Sequence, residues 1–359
     1  MTVNADPNPV KNRAETISEF VEPFNEKIKN AQRIILFFHK SPDLDSAGAN
    51  FGISSYLKNF NSNAEIIILS ADKPSQNLLL EINKDLQEKF EIIDPSLFEY
   101  KEGDLAISID FADFSRCTRN NEYKLPSFVD QAILDHHVIP PIEDKLNFIS
   151  TDFMSSSTIV YNLYKERGVK IPQREFDFLL LGLLGDSGFL RFRDRNFLMS
   201  LELVASYIKN YGEKGYFDTI ENLESNKAME EFILSGIYLN NLKYEKGADY
   251  AYTTLTMNER REKGIADDFA EITNGAMHIR NIEKAKFTFS VVQDKKEAYK
   301  FNLSFRTCAG SDFVVREIAQ KLGGGGHPKA AGGQIEALNI EEAIEKVKAA
   351  INELNGLRA

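Results

Sequence analysis

The sequence predicts an α/β protein of two domains, an N-terminal parallel-sheet domain followed by a smaller C-terminal mixed α/β domain. Three observations lead there. A chain of 359 residues is too long for one average domain and long enough for two cores. From Arg33 to about Asn147 apolar runs alternate with helix-like stretches, the pattern of a parallel sheet covered on both faces. After Asp249 the pattern changes to longer strands and separate helices, which marks a second unit.

Taken in order, the candidate strands of the first domain are Arg33–Phe38, Ala64–Leu69, Phe90–Ile93, Asp104–Ile109, Gln131–Leu134 and one near Asn147–Ser150. Several end in a polar or charged residue, and the crevice beyond the carboxyl ends of such strands is where an open α/β sheet binds ligands. Helical stretches follow at Ser156–Arg167, after a Ser-rich start, at Gln173–Leu184 and at Asn196–Ile208, with Lys227–Leu242 as a connector. The second unit offers strands Tyr250–Thr256, Lys286–Val292 and Tyr299–Phe305 and helices Ser311–Leu322 and Glu341–Leu354. Asn339 and Glu342 stand at the spacing of a capping box before the last helix. The boundaries implied are 14–205 for the first domain, 206–245 for a helical linker and 246–359 for the second. Met1–Arg13 has no hydrophobic stretch and reads as a loosely ordered tail.

Composition narrows the function. The chain is 43% hydrophobic and 27% charged, and no apolar run approaches the ~20 residues of a membrane helix, so a soluble cytoplasmic protein without membrane partners is expected. Its net charge of −11 is opposite to what gripping long nucleic acid by counterion release requires. A short phosphate ligand stays open, because one or two phosphates need only a few Arg, Lys or His. Cys117 and Cys308 are too few for a disulfide framework or a thiolate metal site, and each reads as a small buried hydrophobe.

Four segments carry the chemistry. His39, Asp43 and Asp45 follow the first strand within seven positions, a spacing that lets one imidazole and two carboxylates meet on a hard cation. The same segment also suits the cap of a helix starting near Ala47. Asp110 ends the run Leu105–Ile109, Asp135-His136-His137 ends Ala132–Leu134, and Gly185-Asp186-Ser187-Gly188 ends the apolar helix Phe178–Leu184. Each alone reads as a turn or helix terminator; their recurrence at successive strand ends points to one site. Asp43, Asp45, Asp110 and Asp186 together would place four negative charges in one crevice, which two divalent cations cancel. Oxygen and imidazole donors without thiolate favour Mn²⁺, with Mg²⁺, Co²⁺ and Zn²⁺ as alternatives. A fifth segment, Gly323–Gly333, has four consecutive glycines whose N–H groups can converge on an anion, with His327 beside them.

The order His-x-x-x-Asp-x-Asp, Asp, Asp-His-His, Gly-Asp-Ser-Gly resembles the four motifs of the DHH phosphoesterase family across roughly residues 30–195. The resemblance implies that His39, Asp43 and Asp110 hold one cation and that Asp45, Asp110, His136 and Asp186 hold the other, with Asp110 bridging. Gly324, Gly325, Gly326 and His327 resemble the glycine-rich motif of the family's associated domain, and Arg306 matches its substrate-contacting arginine. The resemblance also implies an active site in the cleft between the domains, with water as nucleophile. Asp135 and His137 would orient ligands or shuttle a proton, and Arg116 and Arg191, close in sequence to Asp110 and Asp186, would bind phosphate oxygens.

Size and layout resemble the family branch that hydrolyses very short RNAs to 5′-mononucleotides and removes the 3′-phosphate of adenosine 3′,5′-bisphosphate. Short RNA oligonucleotides and small nucleotides are therefore the expected partners, with no long nucleic acid; a homodimer is left open. The alternatives are a cyclic di-AMP phosphodiesterase and a non-catalytic nucleotide-binding regulator of the same fold.

Overall fold

A computed structural model describes residues 13–73, 90–139, 142, 146–191, 196–225, 228–266, 275–280 and 282–358. Apart from Arg13, the tail expected over Met1–Arg13 lies outside them. The chain divides into two compact units, Met1–Asn226 and Lys227–Ala359.

The strands of the first unit are β1 (Arg13–Ala14), β2 (Arg33–Phe37), β3 (Glu65–Leu69), β4 (Phe90–Glu91), β5 (Asp104–Ile109), β6 (Asp130–Asp135) and β7 (Leu146–Ile149). Among the described residues they form one sheet in the order β1-β7-β6-β5-β2-β3-β4, every pairing parallel. All six residues of β5 are buried, as continuous apolar runs are when both faces of a strand are covered. Successive side chains serve the two faces: Ile34 and Leu36 pack into the large core under the helices, Ile35 and Phe37 into a smaller one with Phe111, Phe114 and Cys117.

The helices of this unit are α1 (Ile17–Asn30), α2 (Leu44–Gly52), α3 (Ser54–Phe60), α4 (Ser156–Arg167), α5 (Gln173–Asp186), α6 (Phe197–Tyr211) and α7 (Glu213–Ser225). The first of these was not among the helices expected, and it carries Pro23 in its interior. It forms nonetheless: Thr16 caps it through the Glu19 N–H, and Phe20, Val21, Phe24 and Ile28 give it a buried face.

The second unit has strands β8 (Lys243–Glu245), β9 (Tyr250–Leu255), β10 (Phe287–Gln293), β11 (Lys300–Thr307), β12 (Gly325–His327) and β13 (Ala330–Glu336) in the order β12-β13-β11-β10-β9-β8. Within this second sheet, among the described residues, only the β9–β10 pairing is parallel. Its helices are α8 (Met229–Asn240), α9 (Met257–Glu262), α10 (Gly275–His278), α11 (Arg316–Lys321) and α12 (Ile340–Arg358).

Two details differ from expectation. The helix expected over Ser311–Leu322 begins only at Arg316, because a turn closed by the Ser311 N–H on the Cys308 carbonyl, with the Ser311 hydroxyl accepting from the Phe313 N–H, precedes it. The cap of α12 is made by Asn339, which accepts from the Glu342 N–H, but the Glu342 carboxylate returns to Leu338 N rather than to Asn339 N.

Candidate metal centre

The chain leaves β2 toward β3 and β4 on one side of the sheet and returns through β5 to β6 and β7 on the other. This reversal makes the carboxyl ends of β2 and β5 the crevice where an open parallel sheet takes its ligand. Both strands deliver ionisable groups to it.

His39 follows β2, with Nδ1 2.8 Å from the Lys40 carbonyl oxygen. A proton on Nδ1 satisfies that carbonyl and turns Nε2 toward Asp110 Oδ2 at 3.3 Å and Asp43 Oδ2 at 3.6 Å. The helix after this loop starts at Leu44, earlier than expected, and Asp43 caps it rather than Asp45 or Ser46. Its Oδ1 accepts from the N–H groups of Asp45 and Ser46, which leaves Oδ2 for His39.

Asp110 leaves β5 with φ +74°, a left-handed conformation in which Asp and Asn are enriched among side chains. While its Oδ2 faces His39, its Oδ1 lies 3.3 Å from His136 Nε2. Each oxygen of this one carboxylate therefore serves a different group. The second group is completed by Asp186 Oδ2, 3.1 Å from His136 Nε2, and by Asp45 Oδ2 at 4.0 Å.

Close helix packing creates the second group. A Cβ on Gly48 of α2 would stand 2.5 Å from the Phe178 carbonyl oxygen of α5, and one on Gly182 would stand 2.8 Å from Asp45 Oδ1. Only glycine lets the helices approach so far, and that approach brings Asp45 of α2 to Asp186 of α5. Gly185, which the sequence suggests as a helix terminator, lies inside α5 with its Cα against the Leu44 side chain.

The electrostatics call for positive charge. Burial and then the Asp110 and Asp186 charges push the Asp45 carboxyl well above the usual carboxylate range. Burial, followed by repulsion from Asp110 and Asp43, also raises Asp186 despite the nearby His136. Asp110 is likewise penalised by burial, yet His136 and His39 hold it far below that range. Both imidazoles, which burial alone would leave neutral, are drawn up by these carboxylates.

The donor set fits divalent cations. His136 Nε2 is buried with carboxylate oxygens around it, yet none is placed to accept a hydrogen bond. Within each of the groups His39, Asp43, Asp110 and Asp45, His136, Asp186, the donor atoms lie within 4.8 Å of one another. Lone pairs that converge on a point rather than on protons are what a cation site requires.

Asp135 and His137 sit beside this centre. Asp135 Oδ1 lies 2.8 Å from His137 Nδ1, and that nitrogen is 3.7 Å from Asp110 Oδ1. Arg116 is exposed, and its carbonyl accepts from the Lys40 N–H, tying the turn after β5 to the loop after β2. Arg191 is exposed with its guanidinium over the Phe189 ring. Sequence reasoning passed over Asp72, whose carboxylate takes both Arg119 and the N–H of Ser41 and so holds the loop carrying His39. A salt bridge between remote positions leaves no local pattern to find.

In the second unit the glycine run is a hairpin, not a free loop: β12 pairs with β13 through Gly325↔Gly332 and His327↔Ala330. Three of the four glycines have a backbone reason. Gly323 has φ +77°, a Cβ on Gly324 would meet the Gly332 carbonyl oxygen at 2.2 Å, and Gly326 combines φ +133° with Ala330 O at 2.7 Å. Gly325 faces open space. His327 is exposed on β12. Arg306 on β11 is pushed down to about 10 by burial and by the charge of Arg280, another residue sequence reasoning passed over. His278 stacks on Tyr238, and Cys117 and Cys308 are buried free thiols.

Residues 33–183 match the DHH family N-terminal domain and residues 249–353 the DHHA1 domain. The chain is 26% identical over 320 residues to the bifunctional oligoribonuclease and PAP phosphatase NrnA of Thermus thermophilus, covering 89% of each chain. It is 25% identical to the cyclic-di-AMP phosphodiesterase GdpP of Bacillus subtilis, over 96% of this chain but 51% of that one. A crystal structure of an exopolyphosphatase-related protein from Bacteroides fragilis superposes with a TM-score of 0.79 at 19% identity, covering 94% of this chain and 97% of that one. Among the described residues no helix is long and apolar enough to cross a membrane. By both domain matches the chain belongs to the DHH family, the family's N-terminal domain being followed by a DHHA1 domain.

Proposed function

We propose that this protein is a cation-dependent phosphoesterase that hydrolyses short oligoribonucleotides to 5′-mononucleotides and adenosine 3′,5′-bisphosphate to AMP. The observation that carries the reading is the single carboxylate of Asp110 with one oxygen toward each ligand group. His39, Asp43 and Asp110 would hold one divalent cation and Asp45, Asp110, His136 and Asp186 the other, with Mn²⁺ favoured by the mixed imidazole and carboxylate donors. When bound, such a pair supplies Lewis acidity to the phosphoryl group and a water acidic enough to ionise near neutral pH.

The two activities are one reaction. In both, water adds to phosphorus and the bond from phosphorus to the 3′-oxygen breaks, so a site that fits a 3′-phosphoryl group serves both. His137, hydrogen-bonded through Nδ1 to Asp135 and partly exposed, would hold the proton that the departing oxygen takes. Arg116 and Arg191 are proposed contacts for phosphate oxygens, and Arg306, His327 and the open Cα of Gly325 for the far phosphate or nucleotide. The similarity to NrnA over nearly the whole of both chains supports this substrate class over the cyclic dinucleotide.

The test is a panel of 2- to 5-mer RNA, pApA, adenosine 3′,5′-bisphosphate, cyclic di-AMP and pyrophosphate with Mn²⁺, ranked by turnover. Short RNA and the bisphosphate should lead. Cyclic di-AMP turned over faster than both would replace this reading with the cyclic phosphodiesterase, and binding without product would make the protein a regulator.

A further inference from the structure

The N-terminus of α4 lies against the metal centre. The N–H of Ser156 donates to Asp45 Oδ2 at 2.6 Å and the N–H of Ser157 to Asp45 Oδ1 at 2.9 Å, so both oxygens of this fully buried carboxylate are engaged by one helix end. Ser156 does more than its neighbour. Its hydroxyl, itself fully buried, donates to Asp110 Oδ1 at 3.2 Å. That is the oxygen facing His136, not the one facing His39.

A carboxylate turns readily about its last torsion, which is broad and two-fold, so nothing in Asp110 alone decides which oxygen faces which group. A donor fixed on a helix and aimed at one oxygen removes that freedom. The helix is in turn held by the Ser155 hydroxyl, which accepts from the Thr158 N–H, so the donor is anchored independently of any ligand.

We propose that Ser156 is a positioning residue for the second cation site: its hydroxyl and N–H together set Asp110 and Asp45 so that the group Asp45, Asp110, His136 and Asp186 is pre-formed. This rests on the cation reading above. The assignment is asymmetric, because Ser156 bonds to neither His39 nor Asp43 in the first group.

The test is calorimetric titration of the full-length, chelator-treated protein with Mn²⁺, alongside thermal unfolding. Wild-type protein should take up two ions. In Ser156→Ala one of the two affinities should fall about tenfold or more, the loss expected for a hydrogen bond to a charged group, while the other stays and unfolding shifts little. Ser156→Thr, which keeps the hydroxyl, should restore the lost affinity. Ser155→Ala provides the contrast: it removes the cap and lowers the unfolding temperature but deletes no donor to Asp110, so its loss of affinity for either ion should stay well below that of Ser156→Ala. Wild-type protein that binds two ions with Ser156→Ala indistinguishable from it, or with both sites weakened equally, overturns the proposal alone. Wild-type protein that binds fewer than two overturns the cation reading itself.

Discussion

At the scale of single residues, the centre turns on Asp110, whose backbone and side chain are both constrained. Because Asn tolerates the same left-handed backbone, Asp110→Asn is the clean substitution, whereas Ala would add strain. Asp110→Asn should lower hydrolysis of every substrate together by several orders of magnitude and reduce Mn²⁺ stoichiometry below two; normal turnover would show that no shared ligand exists. The glycine hairpin gives a matched pair. Gly325→Ala should weaken substrate binding with urea stability unchanged, while Gly324→Ala, whose Cβ would press on the Gly332 carbonyl, should cost about 1–3 kcal/mol of stability. Asp94 offers a pH test. Burial opposes its charge, but the Thr118 hydroxyl, the Arg119 N–H and Ser96 bring its carboxyl down to about 2. A depressed carboxyl contributes stability above its unfolded value and loses it as pH falls toward its folded one. The stability difference between wild type and Asp94→Asn, on the order of 1 kcal/mol at neutral pH given its solvent exposure, should therefore shrink between about pH 4 and about pH 2. The residues proposed as ligands stood out in the sequence because they follow or end apolar runs. Ser156 was not, since a serine opening a helix looks like an ordinary cap whatever its hydroxyl touches.

At the scale of elements, what was legible depended on whether one period dominated. The six runs placed their strands to within a residue or two, β5 most closely, since a strand buried on both faces needs no alternation. Helix α1, with Pro23 in its interior, was not among the helices expected, and only its tertiary contacts outweigh the lost hydrogen bond. The glycine run was read as a cradle of free N–H groups; in the hairpin much of its glycine content serves the approach of two strands. The α2–α5 contact went unseen because it depends on glycines in two separated helices. Gly48→Ala should destabilise the protein by about 1–3 kcal/mol in urea titration, and because it pushes α2 from α5 it should also weaken Mn²⁺ binding, although Gly48 is no ligand. Stability lost with affinity intact would separate the packing from the site.

At the scale of the whole molecule, the α/β class and the two-unit organisation were legible from length and a change of pattern, and the rule for strand ends is what suggested where to look for a site. The reversal of strand order between β2 and β5 was not legible, because nothing local records which strands become neighbours. The gathered acids also tie global stability to the cations. A ligand held by the folded state alone, at a hundred times its Kd, adds about 2.7 kcal/mol. Chelation should accordingly lower the melting temperature, and Mn²⁺ should restore it more fully than Na⁺ at equal ionic strength; a melt indifferent to chelator would count against occupied sites. With two cations bound as proposed, the bare glycine contact between α2 and α5 would make the spacing of two helices a variable that their affinity reports, and a substitution along that seam should register on manganese binding before the fold gives way.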